Sequence, residues 1–427
     1  MYSTKEVFWV IIDMYFVRTR QDISLLQILL KRVDDRFDRI ELMNFQGILP
    51  AASYPLVIWV RMPRDNEFWF PISCLIPRIM LENLFNLREY YYSKLVFMLD
   101  NHNRAINYLR VSVTDRCNLR CIYCMPKEGL SLIGHKDILS YEEILRIVNV
   151  AVKTGIVKVR LTGGEPLVRR SLVDFIYSLK KIDGLKDITL TTNGILLERF
   201  AEKLFQAGIR RINVSLDSLN AQKYRNITRG GDLSKVIRGI KKADSIGFSP
   251  IKINVVTMKG FNDDEILDFV KLTMNKPYQI RFIEYMPIGD AASGNGFDYL
   301  SNDVVMERIH SFVPIEPVNG HIGKTDGPAR IYKMRGAVGE IGLISAMSHE
   351  FCESCNRLRL TADGHLRACL LSDDELDLKT PLREGCSDSE LEDLIKEAIR
   401  NKPGRANIDC YETQRKKCVR NMSSIGG

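Results

Sequence analysis

Segments typical of β-strands and α-helices alternate from about residue 105 onward, and this alternation limits the possible folds more than any other feature of the chain. Six segments are strand-like: "YLRVSVTD" (108–115), "VKVRLTGG" (157–164), "DITLTTNG" (187–194), "RINVSLDS" (211–218), "IKINVVTMKG" (251–260) and "QIRFIEYM" (279–286). Repeated strand–helix units predict an α/β fold with a parallel sheet, and six of them predict a partial (β/α)6 barrel. Most of these strands end in polar or glycine-rich residues. We therefore expect an active site at their C-terminal ends, where such folds bind ligands.

The first 97 residues differ in composition from the rest of the chain. They contain all three tryptophans but only Gly47 of the 28 glycines. Ordered strand–helix alternation begins after Met98, where the segment "MLDNHNRAINYLRVSVTD" opens. Residues 1–97 are either an added domain of unknown role or an extension that is not part of the functional enzyme, and we favour the extension. The expected division is 1–97, a barrel over 98–286 and a C-terminal region over 287–427.

Bulk composition indicates a water-soluble protein. The net charge of +8 fits a polyphosphate substrate as well as a nucleic acid and does not choose between them. No apolar run is long enough to cross a membrane, so we expect no membrane partner. Six of the ten cysteines fall in two clusters, and Cys74, Cys386, Cys410 and Cys418 are scattered. Clustered cysteines without a secretory signal favour metal binding in a reducing compartment, which predicts a cytoplasmic protein.

The segment "CNLRCIYC" places Cys117, Cys121 and Cys124 at the spacing C-x3-C-x2-C. Three thiolates can hold three irons of a [4Fe–4S] cluster and leave the fourth iron open. A structural zinc ion would need a fourth donor, and none stands nearby in the sequence at a usual spacing. We favour the iron–sulfur interpretation over zinc or incidental thiols.

A second set, Cys352, Cys355 and Cys369, has the spacing C-x2-C-x13-C. Zinc is a serious alternative here, because C-x2-C is common in zinc ribbons and His349 or His365 could supply a fourth ligand. Asp363-Gly364 between two alternating runs predicts a hairpin. An ideal two-residue turn would pair Leu358 with Cys369, on the face opposite Arg357 and Arg359, unless a bulge or bend intervenes.

The motifs together resemble one family. "CNLRCIYC" and the following "TGGEP" (162–166) resemble the radical S-adenosylmethionine (SAM) superfamily, whose barrel is a partial (β/α)6 barrel. The chain as a whole resembles the molybdenum cofactor biosynthesis protein A family, or GTP 3′,8-cyclases. This resemblance rests on both cysteine sets, "RRINVSLDSL", "NRLRLTADG" and the closing Gly-Gly. The resemblance covers about residues 98–427 and leaves the first 97 outside.

The resemblance implies two [4Fe–4S] clusters and a set of site residues. The cluster on Cys117, Cys121 and Cys124 would generate the radical, and Cys352, Cys355 and Cys369 would hold a second cluster that binds guanine. The residues implied for SAM are Tyr123, Gly164, Ser215 and Met286. Those implied for GTP are Arg110, Arg160, Thr191, Lys252, Arg357 and Arg359. Judged without the resemblance, most of these are ordinary strand-end or strand-edge residues.

The implied reaction converts GTP to (8S)-3′,8-cyclo-7,8-dihydroguanosine 5′-triphosphate, the first step of molybdenum cofactor biosynthesis. A 5′-deoxyadenosyl radical would remove hydrogen from the ribose 3′ carbon, which then attacks guanine C8. The implied partners are an external one-electron donor and a downstream cyclic pyranopterin monophosphate synthase, with a homodimer as a further expectation and no nucleic acid. The Gly-Gly tail is expected to thread toward the first site, although its composition alone favours a disordered tail.

Two alternatives remain open from the sequence. One is another radical SAM enzyme with an auxiliary cluster that modifies a peptide. The other is a non-catalytic iron–sulfur or zinc protein that acts in electron transfer or regulation. Loss of GTP would distinguish the cyclase from the first, and iron and sulfide content would distinguish it from a zinc protein.

Overall fold

The computed structural model describes residues 98–286, 288–289, 298–318, 327–405 and 420–426, together with two short strands near the N-terminus. The chain divides into two compact units, Met1–Tyr92 and Ser93–Gly427. In the first unit, strands β1 (Ile58–Val60) and β2 (Phe70–Ile72) pair antiparallel. Within the described residues, no helix is both long and apolar enough to span a membrane.

All six predicted strands form, and they pair parallel in sequence order. They are β3 (Tyr108–Ser112), β4 (Lys158–Thr162), β5 (Asp187–Thr192), β6 (Ile212–Ser215), β7 (Ile251–Thr257) and β8 (Tyr278–Glu284). The helices between them are α1 (Tyr141–Lys153), α2 (Leu172–Leu179), α3 (Leu197–Gln206), α4 (Ala221–Thr228), α5 (Leu233–Ile246) and α6 (Ile266–Asn275). The predicted partial (β/α)6 barrel is confirmed.

The start of α1 shows how local sequence sets an element. Ser140 accepts the backbone N–H of Glu143 at 3.1 Å, and the Glu143 carboxylate accepts the Ser140 N–H at 2.7 Å. This reciprocal pair is a capping box, which Ser140 followed by Glu143 three residues later already indicates in the sequence, and it satisfies two N–H groups that the first turn of a helix leaves free. The helix then runs to Lys153 with Ile144, Ile147, Val148 and Ala151 buried.

The C-terminal region adds strands to both edges of the barrel sheet, which the sequence did not indicate. Its elements are α7 (Asn302–Phe312), β9 (Ile315–Pro317), β10 (Arg330–Met334), β11 (Glu340–Ile344), β12 (Arg357–Leu360), β13 (His365–Arg367), β14 (Glu375–Asp377), α8 (Lys379–Arg383) and α9 (Asp388–Arg400). Strand β11 pairs parallel with β8, and β12 pairs parallel with β3. One twelve-stranded sheet results, in the order β14-β13-β12-β3-β4-β5-β6-β7-β8-β11-β10-β9.

Side-chain alternation along β7 shows how the sheet separates core from site. Ile251, Ile253 and Val255 are buried in the apolar core with the surrounding helices. Lys252 and Asn254, on the opposite face, are only partly buried. Because successive strand residues point to opposite faces, the inner face of the barrel remains available to polar and charged side chains.

The predicted hairpin around Asp363-Gly364 forms, but its turn is longer than two residues. Arg359 pairs with Arg367 and Leu360 with Leu366, which leaves five residues, 361–365, between the paired positions. In the loop, Thr361 hydrogen-bonds the carbonyl of His365 at 3.1 Å. Extending this register by two residues places Cys369 opposite Arg357. The pairing of Leu358 with Cys369 that an ideal two-residue turn would impose therefore does not form, and the longer loop, rather than a bulge or bend, places the arginines and Cys369 on one face.

A chain that starts at Met98 should fold on its own, because every strand of the twelve-stranded sheet follows that residue. We expect the far-UV circular dichroism per residue to show a complete α/β domain, with one cooperative thermal transition. As a control, a chain that starts at Val113 lacks β3, which lies inside the sheet between β4 and β12, and should not fold. Loss of the cooperative transition in the chain from Met98 would contradict the prediction.

Candidate active site

One pocket of about 310 Å³ lies at the C-terminal ends of the barrel strands, a volume typical of a small-molecule site. Its wall includes all six clustered cysteines, namely Cys117, Cys121, Cys124, Cys352, Cys355 and Cys369. The two predicted cysteine sets therefore face one shared space. Among the residues that the structure describes, no three His, Cys, Asp or Glu side chains are arranged around a position for a single metal ion.

The first cysteine set lies on the loop that follows β3, and the end of α4 fixes this loop. Ile122 N–H donates to the carbonyl of Ile227 at 2.9 Å. The Arg229 guanidinium donates to the carbonyls of Arg120 at 3.2 Å and Met125 at 2.9 Å. Arg229 is left-handed, with φ of 53°, and caps α4. These hydrogen bonds to backbone carbonyls thus hold the cysteine loop against the end of α4.

The thiols of this set lie close enough to repel one another when ionised. Burial raises the pKa of Cys124 to about 12, with Cys117 and Asp217 adding to the effect. The pKa of Cys121 is also raised well above its usual value, mainly by burial and then by Cys124, Asp217 and Cys117. Three ionised thiols in this position need a nearby cation. Their number and charge requirement fit an iron–sulfur cluster.

The two glycines of "TGGEP" let the loop after β4 touch the cysteine loop. Gly164 N–H donates to Thr114 O at 2.7 Å, and Glu165 N–H donates to Arg116 O at 2.8 Å. A Cβ atom on Gly164 would lie 2.3 Å from Arg116 O, and one on Gly163 2.5 Å from Thr114 O. Any side chain there would push the loops apart, so these glycines serve close backbone packing beside the pocket.

Glu165 is a buried carboxylate that organises the next strand end. Only 1% of its surface is exposed. It accepts hydrogen bonds from Thr192 Oγ1 at 2.7 Å, Asn193 N–H at 2.7 Å and Leu167 N–H at 3.1 Å. Burial raises its pKa to about 7, although these hydrogen bonds partly oppose the shift. Asn193 in turn hydrogen-bonds Asn118 in the cysteine loop at 2.8 Å.

A second buried carboxylate, Asp217, was not singled out from the sequence although it lies within the quoted "SLDS". Tyr123 donates its hydroxyl to Asp217 Oδ2 at 2.8 Å, and Val256 N–H donates to Oδ1 at 2.9 Å. Burial raises the pKa of Asp217 to about 6. Asp217 therefore fixes the aromatic ring before Cys124 against strand β7.

The four residues implied for SAM all line the pocket: Tyr123, Gly164, Ser215 and Met286. Ser215 ends β6 and is paired with Asn254 of β7. Met286 follows β8 and packs against Ile288 and Ile425. They come together from four separate loops or strand ends.

The second cysteine set is electrostatically different from the first. Cys352–Ser354 form a single 3-10 turn, and Cys355 follows it. The Arg357 guanidinium lies 3.7 Å from Cys355 Sγ. Burial alone would raise the pKa of Cys355, but Arg357 and Lys402 outweigh burial and lower it to about 6. Cys355 is therefore stabilised as a thiolate, the form that binds iron.

Neither histidine considered as a zinc ligand is directed to this set. His349 Nε2 pairs with Asp303 at 2.9 Å, and half of its side chain is exposed. His365 Nδ1 lies 3.3 Å from Asp363, which raises the pKa of the histidine.

Three arginines lie side by side on neighbouring parallel strands. Arg359 of β12 is in register with Arg110 of β3, and Arg110 with Arg160 of β4. Burial, and to a smaller extent repulsion from Arg357, lowers the pKa of Arg359 to about 10. Burial and the neighbouring arginines also lower the pKa of Arg110 well below its usual value. Such a row of like charges fits a polyanionic ligand.

The remaining residues implied for GTP lie along the same inner face, and Thr191 lines the pocket beside the arginines. Lys252 does not line the pocket. It lies on the same face of β7 as Asn254, two residues earlier in the strand. Burial, Arg281 and Arg160 lower its pKa to about 6. Arg281 also lines the pocket, but it was not singled out from the sequence. In "QIRF" it lies two residues after Gln279, and alternate residues of a strand share one face.

The C-terminal peptide returns into the pocket. Met422 and Ser423 are part of its wall, and Arg110 donates to the carbonyl of Gly426 at 3.2 Å. Gly426 has φ of +82°, and a Cβ atom there would lie 2.9 Å from Thr162 Oγ1. The expected approach of the tail to the site is confirmed for Gly426, and Gly427 lies outside the described residues. Of the scattered cysteines, Cys74, Cys410 and Cys418 also lie outside them.

Comparison with known proteins gives matches over most of the chain. Residues 111–273 match the family model "Radical SAM superfamily", and residues 278–408 match "Molybdenum Cofactor Synthesis C". The chain is 48% identical over 332 residues to the GTP 3′,8-cyclase of Alkaliphilus oremlandii and 49% identical over 335 residues to that of Thermodesulfovibrio yellowstonii. Each match covers 77% of this chain and 100% of the relative.

Solved structures show the same fold. A crystal structure of Streptococcus suis SuiB bound to S-adenosylmethionine has a TM-score of 0.50 and 16% identity, over 82% of this chain and 78% of that chain. SuiB bound to its precursor peptide SuiA has a TM-score of 0.51 and 16% identity, over 86% and 79% of the two chains. At this identity the likeness concerns the fold alone. The relatives matched over their whole length, the two family models and the shared barrel agree, and the chain belongs to the GTP 3′,8-cyclase family of the radical SAM superfamily.

Proposed function

We propose that the shared pocket is where this chain cyclises GTP, with SAM at the first cysteine set and GTP at the second. As a member of its family, the chain is a radical SAM enzyme, and GTP is its substrate. The product is (8S)-3′,8-cyclo-7,8-dihydroguanosine 5′-triphosphate, in the first step of molybdenum cofactor biosynthesis. The observation that carries the proposal is that both three-cysteine sets and the arginine row line one pocket.

Two [4Fe–4S] clusters and SAM are the cofactors of this family. We assign Cys117, Cys121 and Cys124 to the first cluster, and Cys352, Cys355 and Cys369 to the second. When bound, these groups supply a single electron and the chemistry that removes hydrogen from the ribose. Three thiols in each set leave one iron of a cluster open to a small molecule.

At the first set, the chain's task is to orient SAM. Tyr123 is fixed by Asp217, and the backbone at Gly164 is fixed against Arg116, so both present a preorganised surface to a ligand. Ser215 offers a hydroxyl, and Met286 offers an apolar, polarisable surface suited to an adenine ring.

At the second set, the basic inner wall accounts for the triphosphate. Arg110, Arg160, Arg357 and Arg359 converge on the pocket, and guanidinium groups bind phosphate oxygens in bidentate pairs. Repulsion within this row is relieved when an anion binds. Arg281 also lines the pocket, so we assign it to GTP for the same reason. Lys252 does not line the pocket and acts on the triphosphate only through its positive charge.

The remaining protein contribution is exclusion of water. The tail carries Met422 and Ser423 into the pocket wall and is anchored by Arg420, which pairs with Asp363 at 2.9 Å and Glu375 at 2.7 Å. A closed pocket keeps a reactive carbon radical away from solvent and oxygen.

The proposal extends to partners and domains. The reaction needs an external one-electron donor, and its product would pass to a cyclic pyranopterin monophosphate synthase. We place the enzyme in the reducing cytoplasm as a homodimer that binds no nucleic acid. Catalysis is assigned to the barrel, 98–286, and the C-terminal region, 287–427, and none of it to residues 1–97.

The decisive test is anaerobic conversion of GTP by the reconstituted full chain with reductant and SAM. We expect loss of GTP, formation of 5′-deoxyadenosine and a product with the mass and hydrolysis pattern of the cyclised nucleotide. Cys121→Ser should abolish all three, while Cys386→Ser, outside both sets, should behave as the parent. Formation of 5′-deoxyadenosine without loss of GTP would refute the cyclase and leave the peptide-modifying alternative.

Arg357→Ala should lower kcat/KM for GTP by about 10- to 100-fold, the loss expected for one hydrogen bond to a charged group. Slow cleavage of SAM should remain detectable, because this residue lies beside the second set and away from the first. Arg238→Ala, an exposed arginine on α5 paired with Glu198, is the matched control and should change neither rate. Equal loss of both activities after Arg357→Ala would contradict the assignment.

GTP binding should take up a proton at about pH 8, where the γ-phosphate is already ionised. In the free chain, the pKa of about 6 keeps Lys252 mostly neutral at this pH. A bound triphosphate raises that pKa, so the ammonium form is restored on binding. Calorimetry in two buffers of different ionisation enthalpy measures the uptake, and Lys252→Met should remove it. Equal uptake in both proteins would assign the proton to another group.

A further inference from the structure

Lys402 is a buried cation next to the second cysteine set, and no step of the reaction described above uses it. It lies two residues beyond the end of α9, and only 3% of its surface is exposed. Burial lowers its pKa. An ammonium group is rarely buried without an anion nearby, because transfer out of water disfavours the charge. The position therefore needs an explanation.

The hydrogen bonds of Lys402 join two peptide segments that carry cysteines. Its Nζ donates to the carbonyl of Arg357 at 2.9 Å and to that of Ala368 at 2.5 Å. Arg357 follows Cys355 by two residues, and Ala368 directly precedes Cys369. One ammonium group thus ties together the backbone next to two of the three cysteines.

Neutral carbonyl groups do not balance the charge of Lys402. Within the described part of the chain, Lys402 forms no ion pair with a carboxylate. The groups that raise its pKa are the thiolates of Cys355 and Cys369. The same electrostatic interaction lowers the pKa of Cys355, where Lys402 acts together with Arg357. Since its Nζ also hydrogen-bonds the backbone beside Cys355 and Cys369, the geometry directs the charge of Lys402 toward this cysteine set.

Arg104 fixes the third cysteine and the Lys402 segment, but its own charge is already balanced. It donates to the carbonyls of Cys352 and Pro403, both at 2.7 Å, and pairs with Asp100 at 2.6 Å. This contrast separates the two cations. Arg104 binds backbone carbonyls while Asp100 balances its charge, whereas the charge of Lys402 is directed to the thiolates.

We propose that Lys402 is a positioning residue of the second cluster, which ties the Cys355 and Cys369 segments together and balances the negative charge of the bound cluster. Three thiolates leave a cluster net negative, and reduction adds one more negative charge. A fixed cation beside it favours both retention of iron and the reduced form. The inference rests on the assignment of Cys352, Cys355 and Cys369 as cluster ligands.

The experiment isolates the second site in the full chain. Replacing Cys117, Cys121 and Cys124 together with serine leaves a background that should bind about four iron atoms per chain after anaerobic reconstitution. Lys402→Met, Lys402→Gln and Lys402→Arg are made in this background, with Lys396→Met on the outer face of α9 as the matched control. Iron content, the rate of iron loss to a chelator, and the midpoint potential from EPR-monitored titration are compared.

We expect Lys402→Met and Lys402→Gln to lose iron to the chelator at least about tenfold faster, as the removal of a second-shell partner does, and to shift the midpoint to more negative potential. Lys402→Arg and Lys396→Met should stay close to the background. Circular dichroism of the apo forms checks folding. If Lys402→Met does not fold, Lys402→Gln decides, since it keeps a donor but not the charge.

A Lys402→Gln chain with the midpoint and chelator resistance of the background would overturn the charge-balancing role. A shift of the same size in Lys396→Met would also overturn it, since the effect would not be specific to the buried site. Absence of iron from the background itself would overturn the assignment of the second cysteine set, and the role of Lys402 with it. The two failures are thus distinguishable.

Discussion

Repulsion among like charges on neighbouring strands is the constraint on which the site depends. Parallel strands lie about 4.8 Å apart, and register places Arg359, Arg110 and Arg160 next to one another across three of them. Such neighbours destabilise a sheet unless an anion compensates them. The repulsion between these arginines lowers the stability of the fold. The apolar outer face of the strands, which packs beneath the helices, must compensate for this loss. A polyphosphate is the natural complement of this wall.

The same electrostatics divide the two cysteine sets. Around Cys121 and Cys124 the neighbouring charges are thiolates and Asp217, so the pKa values of the thiols are raised. Around Cys355 the neighbours are Arg357 and Lys402, and its pKa is lowered to about 6. A bound cluster would thus meet an anionic environment at one end of the pocket and a cationic one at the other. With the arginines that we propose bind phosphate at the cationic end, one group of charges can serve both thiolates and substrate.

Local signals predicted the elements of this fold, and non-local pairing limited the prediction. The six strands, the capping box of Ser140 and the hairpin at Asp363-Gly364 follow from patterns within a few residues. The pairing of β12 with β3 joins segments about 250 residues apart, and no periodicity encodes it. The hairpin register differs from that of an ideal two-residue turn because five residues, 361–365, separate the paired positions. Lys402 and Asp217 acquire their roles through burial beside cysteines distant in sequence, so their immediate neighbours gave no indication of it.

Gly426 shows why glycine, rather than any flexible residue, stands at this point of the tail beside the site. Gly426 adopts φ of +82°, which L side chains rarely adopt, and the space where its Cβ would stand is taken by Thr162 and Ser112. Its carbonyl accepts a hydrogen bond from Arg110, a member of the arginine row. A carbonyl oxygen satisfies one donor of that guanidinium without neutralising its charge. The tail can therefore order Arg110 while leaving its attraction for a triphosphate intact, which a carboxylate side chain at the same place would cancel.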